Sequence, residues 1–235
     1  LAWDPYLNSE QIAEEWTKLT FGQNPDNLAR IKEIMLDSHE AAVNYMTPLG
    51  LHHIMGRDHH YGPGPWVTGG RADWTSLYYH RADSLGIGFD RTSSGSKALE
   101  QYAPEITITW SDPNQIPEKY LLWFHHLPWD YQMKSGKTLW EEIGIHFDQG
   151  VKSARKMKAT WESLSGIIDP VQHSHVSQLL GIQIQEAEWW RNACLLYFQS
   201  ISKRPFPSEI EQPEGDLDYY KSLSFPTAPG IRPRW

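Results

Sequence analysis

A mainly α fold, a helical domain with two long antiparallel helices and long ordered loops, is what this sequence predicts. Three observations carry that reading. Apolar residues recur every three or four positions over two stretches, one from about Thr138 to Ser165 and one from about Pro170 to Ser202. The link between them is short, which makes the two helices antiparallel neighbours. Residues 50–96 hold neither a helical nor a strand period, yet they concentrate rings, glycines and prolines, as an ordered loop region does.

Each element follows in order from local signals. Ser9 reads as an N-cap, and Ile12, Ala13, Trp16 and Leu19 follow at helical spacing up to Gly22. A second helix starts after Pro25 or Asp26. Leu28, Ile31, Met35 and Val43 mark its buried face, and residues 48–50 end it. Residues 97–103 read as a short helix. The alternating run at 106–110 reads as a short strand in need of a partner. Residues 117–124 read as helical, with Pro117 at the first helical position. The first long helix buries Leu139, Ile143, Phe147, Val151, Ala154, Met157 and Trp161. The second buries Val176, Leu179, Leu180, Ile184, Ala187, Trp190, Leu195 and Phe198. From Pro205 the chain reads as mostly extended, with one short helix at 217–223.

Composition removes several function classes. The net charge is -8, so no basic field exists to hold a phosphate backbone, and nucleic acid is not an expected partner. The same charge argues against an anionic membrane surface, and no apolar run reaches membrane length. The single cysteine, Cys194, forms no internal disulfide and reads as a buried small hydrophobe. The compartment stays undecided. Twelve tryptophans are an unusual number, and Trp lines interfaces and carbohydrate clefts as well as cores.

The richest stretch runs from Tyr45 to Thr92. Five of the eleven histidines fall between His52 and His80, with Trp66 and Trp74 among them. A structureless region this long is uncommon in a compact domain unless it serves a site. The pairs His52-His53 and His59-His60 lack the spacing of a zinc site, so no metal is expected. Glu141, Glu142 and Asp148 could form a carboxylate pair for glycoside chemistry. They read instead as the solvated face of a helix beside Lys137 and Lys152. No nucleophile elbow, phosphate loop or dinucleotide motif is present, and no cofactor is expected. The Gly-Pro-Gly-Pro run before Trp66 could present that ring as a platform, or Trp66 could plug a core. Arg71, Arg81 and Arg91 alternate with Asp73, Asp83 and Asp90, a pattern that suits an ion-pair lattice fixing the loops, and such a lattice would also place an Arg where a carboxylate ligand could reach it.

Several runs together are distinctive: LAWDPYLNSEQIAEEW, YMTPLGLHHIM, HYGPGPW, RADWTSLYYHRADSLGIGFDRT and PEKYLLWFHHLPWDYQMKSGKTLWEEI. With them the chain closely resembles the C-terminal domain of glycoside hydrolase family 67 α-glucuronidases, from Leu1 to about Phe198. The resemblance implies a parent enzyme that removes 4-O-methylglucuronic acid from xylo-oligosaccharides with inversion. It implies a mainly α domain normally packed on the enzyme's own upstream TIM barrel, and a homodimer. Residues 1–235 then form one domain. Residues 1–25 are its exit from the catalytic barrel, 50–96 its ring-rich loops on the active-site side, and 137–203 its long helix pair. The catalytic acid and base are expected upstream, so no residue here is assigned to them and the chain alone should be inactive.

The resemblance puts the 50–96 loops near the sugar on the aglycone side; the individual residues are chosen by chemistry. Trp74, or failing that Trp66, is expected to stack on the xylose next to the scissile bond. Tyr61, His53 and Arg81 are the candidate polar contacts. Two alternatives stay open: a purely structural or dimerisation module without sugar contact, and a stand-alone carbohydrate-binding module. With the barrel absent, much of the ring surface is expected to be exposed or disordered.

Overall fold

Residues 4–56 and 61–223 are described by a computed structural model. Four helices make its frame, and each begins where the sequence supplies a cap. Helix α1 is Ser9–Phe21, and its cap is Asn8 rather than Ser9. The Asn8 side chain accepts from the Gln11 amide while the Gln11 side chain accepts from the Asn8 amide, both at 2.9 Å. Helix α2, Pro25–Met46, is capped by Asn24 with Pro25 in the first turn.

Two further helices, later in the chain, form the long pair. Helix α6, Leu139–Glu162, opens on a Thr138/Glu141 capping box, and helix α7, Pro170–Ser202, opens on Asp169. The long pair therefore forms where the apolar period places it. Helix α2 packs on α6, α6 on α7, and α1 on α2. Ile31, Ala41 and Tyr45 of α2 meet Ile143, Phe147, Val151 and Ala154 of α6 and Ala187, Trp190, Leu195 and Phe198 of α7 in one core. Burying a side chain such as Phe147 stabilises by about 1.5–3 kcal/mol. Helices α2 and α6 touch backbone to backbone at Gly150, where a Cβ would stand 2.6 Å from the Tyr45 amide nitrogen.

Between α2 and α6 the chain is short turns and small helices. Helix α3 is Ser76–His80, α4 is Pro104–Trp110, and α5 is Leu121–Phe124. Strand β1 (Gly86–Ile87) pairs antiparallel with β2 (Leu127–Pro128), with Gly86 opposite Pro128 and Ile87 opposite Leu127. Beyond the strand the Phe89 amide donates to the Leu122 carbonyl at 3.0 Å and the Arg91 amide to the Phe124 carbonyl at 2.9 Å. Helix α8, Leu217–Ser222, closes the described chain.

Several expectations are corrected. The alternating run at 106–110 is helical, not a strand. Pro104 sets the first helical φ, the Thr109 hydroxyl donates back to the Glu105 carbonyl at 2.8 Å, and among the described residues no strand pairs with it. Its Ile108 points outward. Pro117 precedes its helix instead of opening it, and residues 117–124 divide into a 3-10 turn and α5. Helix α1 buries Ala13 and Thr17, whereas Leu19 is 80% exposed and Trp16 also faces outward, as does Met35 of α2. Leu179 of α7 is exposed as well.

Glu141 and Asp148 do not form a solvated face. Glu141 belongs to the α6 capping box, and Asp148 is buried beneath Arg191. Cys194 is fully buried, as the sequence indicates, and burial pushes its thiol pKa well up.

Candidate functional site

The ring-rich loops fold back on the helical frame. His80 and Phe89 are buried, Tyr61, Trp66, Tyr78 and Tyr79 are half-buried, and Trp74 alone of these rings is 72% exposed. The expectation of a broadly exposed ring surface is therefore corrected, because the domain's own side chains cover most of it. His59 and His60 lie outside the described residues.

Backbone pairing explains how the loops are held. The Gly56 amide donates to the Gly62 carbonyl at 2.8 Å and the Gly64 amide to the Ile54 carbonyl at 2.9 Å. At Gly62, with φ +73°, an added Cβ would lie 1.9 Å from the Trp189 ring, so only glycine lets that ring lie flat there. His80 ties this turn to α3. Its Nδ1 accepts from the Ala82 amide at 2.9 Å, which leaves Nε2 to donate to the Pro65 carbonyl at 2.8 Å. Burial pushes the His80 pKa down to about 4, so the ring is neutral at neutral pH.

Two of the five candidate residues, His53 and Arg81, come together, and Trp74 stands on an adjoining turn. The His53 ring stacks on Tyr79 with centroids 4.2 Å apart, and Tyr79 stacks on Trp123 at 5.7 Å. The Arg91 guanidinium lies 3.8 Å from the Trp123 ring centre and 4.0 Å from that of Phe89. Arg81 follows at 3.6 Å from the Phe89 ring. His53, Tyr79, Trp123, Arg91, Phe89 and Arg81 thus make a continuous ladder of rings and guanidinium groups. Each such cation–ring contact stabilises by about 0.5–2 kcal/mol. The Tyr79 hydroxyl donates to the Asp73 carbonyl at 3.0 Å, which fixes the turn that carries Trp74. His52 meets the Trp123 edge at 5.3 Å, and its partial desolvation, then the Arg91 charge, hold its pKa below the ordinary value.

Both His53 and Arg81 have positive φ, at 63° and 44°. For Arg81 this is the left-handed cap of α3. His53 caps no helix, and a left-handed non-glycine residue costs on the order of 1 kcal/mol. The other two candidates sit elsewhere. Tyr61 and Trp66 pack on a separate cluster of Trp189, Ala193 and Tyr220 beside α7. The Tyr61 hydroxyl donates to Glu186. A groove of about 310 Å³ runs there between Tyr45, Tyr61, Leu179, Gln183, Glu186 and Trp190.

The proposed ion-pair lattice does not form. Among the described residues, Arg71 alone of the three arginines meets a carboxylate, Asp73 at 2.6 Å. Asp83 accepts from the Leu85 and Gly86 amides, and Asp90 accepts from Thr92 and Ser94. The aspartates shape turns, and the freed guanidinium groups settle on rings. Sequence reasoning missed Tyr79, Phe89, Arg91 and Trp123 as site residues. The usable signal was the second ring-rich loop that follows Trp123. Among the described residues no grouping of His, Cys, Asp or Glu suits a metal ion, and no helix is long and apolar enough to cross a membrane.

The fold and this surface define a mainly helical domain that carries a ring-and-arginine face on ordered loops. Comparison with known proteins says which. Residues 1–211 match the family described as "Glycosyl hydrolase family 67 C-terminus", and the chain belongs to that family. It is 34% identical over 206 residues to "Probable alpha-glucuronidase A" of Aspergillus clavatus, covering 86% of this chain and 24% of the relative. It is 32% identical over 236 residues to "Alpha-glucuronidase A" of Aspergillus tubingensis, covering 95% of this chain and 28% of that protein. "Alpha-glucuronidase" of Hypocrea jecorina is 32% identical over 229 residues, covering 92% and 26%. The chain spans about a quarter of the length of the curated relatives it matches.

Proposed function

We propose that this chain is the C-terminal domain of an inverting α-glucuronidase that removes (4-O-methyl)glucuronic acid from xylo-oligosaccharides. It supplies scaffold and an aglycone-side loop surface, while the catalytic carboxylates belong to an upstream TIM barrel. One observation carries the role: in a chain of this family, the exposed Trp74 stands on a turn braced by the ring ladder. A sugar presents an apolar C–H face, and an exposed indole on a rigid support is its natural platform. Trp66, packed against α7, is a weaker candidate for that stacking, and Tyr61 lies beside it.

In the enzyme that carries this domain, Trp74→Ala raises KM for aldouronic acids about tenfold, since stacking contacts of this kind contribute on the order of 1–3 kcal/mol. An aryl glucuronide, which has no xylose, responds little, and the isolated chain releases no uronic acid from either substrate. Equal responses of the two substrates would remove the stacking role.

A second reading has its own support. From Pro170 to Gln185, α7 carries no Asp, Glu, Lys or Arg, and its Val171, His175 and Leu179 share one exposed face. Such a face fits a contact between two copies of the domain. Replacing Val171 and Leu179 together with Glu would then halve the mass found by analytical ultracentrifugation. An unchanged mass would place the dimer contact elsewhere or remove it.

A further inference from the structure

Trp74 faces solvent, so what aims its indole must be found in the turn beneath it. Residues 72–74 form a 3-10 turn. The Trp74 amide donates to the Arg71 carbonyl at 3.0 Å and the Thr75 amide to the Ala72 carbonyl at 3.1 Å. The Thr75 hydroxyl donates to that same Ala72 carbonyl at 2.7 Å. These bonds close the turn on itself, and its far end is fixed where Thr75 caps α3. The Arg71–Asp73 pair is also local, and with Arg71 mostly in water it holds little. The middle of the turn is tied back by one side chain, the Tyr79 hydroxyl, which donates to the Asp73 carbonyl at 3.0 Å. Among the described residues no backbone amide donates to that carbonyl.

The Tyr79 hydroxyl is itself a fixed point. Its ring lies nearly parallel to both His53 and Trp123, at interplanar angles of 22° and 14°, and meets the Tyr78 ring edge-on with centroids 5.2 Å apart. Rings stacked in this way leave its two side-chain torsions little freedom. Trp123 is held in turn by Arg91, whose guanidinium lies over the indole and donates to the Trp123 carbonyl. The support therefore runs from α5 through Tyr79 to the peptide unit next to Trp74. A ring that is already still when its ligand arrives avoids the ordering cost that weakens binding by mobile side chains.

We infer that Tyr79 is a positioning residue for sugar binding: its hydroxyl holds the turn that aims the Trp74 indole, and its stacked ring makes Trp123 part of the same site. The inference rests on the reading of Trp74 as the stacking platform and adds the residue that sets that platform. Tyr79 acts through Trp74. A hydroxyl that served only the fold would matter equally to every substrate. One that aims Trp74 matters only to a substrate that reaches Trp74.

A double-mutant cycle of Tyr79→Phe and Trp74→Ala, in the full-length enzyme that carries this domain, tests the role. Tyr79→Phe keeps the ring stacks and removes only the hydroxyl. It is expected to raise KM for aldouronic acids about fivefold, the factor that one neutral hydrogen bond corresponds to, with kcat unchanged. An aryl glucuronide, which does not reach Trp74, keeps its KM. In the Trp74→Ala background the same change adds nothing, because its effect passes through the indole. In the 235-residue chain, Tyr79→Phe shifts the Trp74 indole N–H signal in NMR and leaves those of the buried Trp129, Trp140 and Trp161 in place. A Tyr79→Phe enzyme with unchanged KM, beside a Trp74→Ala enzyme with raised KM, overturns the positioning role and leaves the stacking reading standing. Effects that add in the double variant, an equal response of both substrates, or an unmoved Trp74 signal also overturn it. An unchanged KM in Trp74→Ala removes the stacking reading, and the positioning role falls with it.

Discussion

Replacing Arg191 with Met lowers the stability of this domain by about 3–5 kcal/mol, the effect of leaving a buried charge without its partner. Arg191 and Asp148 are both almost wholly buried, with Nη1 3.2 Å from Oδ1. The same Nη1 reaches Glu211 at 2.9 Å, and Arg155 holds Glu211 and Glu188 from the other side. The two arginines hold the Glu211 carboxyl down to about 2. This network ties the segment after α7 to the α6/α7 pair, next to buried Pro207 and Ile210. In Arg191→Met, Asp148 keeps the Glu211 amide, at 3.3 Å, and Lys152, whose side chain is mostly in water. Adding Asp148→Leu to that variant should recover most of the loss, because two apolar side chains of similar volume leave no orphan charge. Urea denaturation of the two variants and the parent checks both statements. A double variant as unstable as the single one would show that packing, not the uncompensated charge, dominates.

The second large effect is a loss of stability on acidification, centred on His80. Its ring is sealed against Tyr197 and Phe198, with Nδ1 accepting and Nε2 donating, so a second proton has no place. The unfolded residue takes up its proton near 6.5, the native one only near 4. Between those values the unfolded chain binds more protons, so stability falls as pH falls, by about 1.4 kcal/mol per unit and about 3 kcal/mol in all. Above pH 7 the group contributes no slope. For a domain whose total stability is about 5–15 kcal/mol, that is a large share. His80→Gln removes this slope. Urea midpoints at pH 7 and pH 4.5 for both proteins measure the difference, in which the carboxylate contributions largely cancel. Equal slopes would show that His80 does not carry the effect.

Much of the frame was legible in the chain itself. Thr138 with Glu141, and Asp169 with Pro170, place the starts of the two long helices, and the apolar period places their contact. These are local signals, set within one helical turn. The run at 106–110 misled because Ile and Thr favour strands only where a pleated neighbour exists. Leu179 misled because periodicity says which residues share a face, not what covers that face.

At the surface of interest, composition showed that residues 50–96 are unusual and singled out His53, Trp74 and Arg81. It did not separate them from Tyr61 and Trp66, which pack elsewhere. Trp123 lies far along the chain from Tyr79, and only the pairing of residues 86–91 with 122–128 brings their rings together. The arginines misled most. Alternating Arg and Asp look like ion pairs in sequence, but in space the Asp side chains find backbone amides first, and Phe89 and Trp123 receive the guanidinium groups. Family, helical frame and a ring-rich loop surface were therefore determined by the sequence alone, because caps, periods and motifs are short-range. The ladder, the buried Asp148–Arg191 pair and the unpaired Arg81 and Arg91 were decided by tertiary structure, because each depends on which distant backbone segments lie side by side.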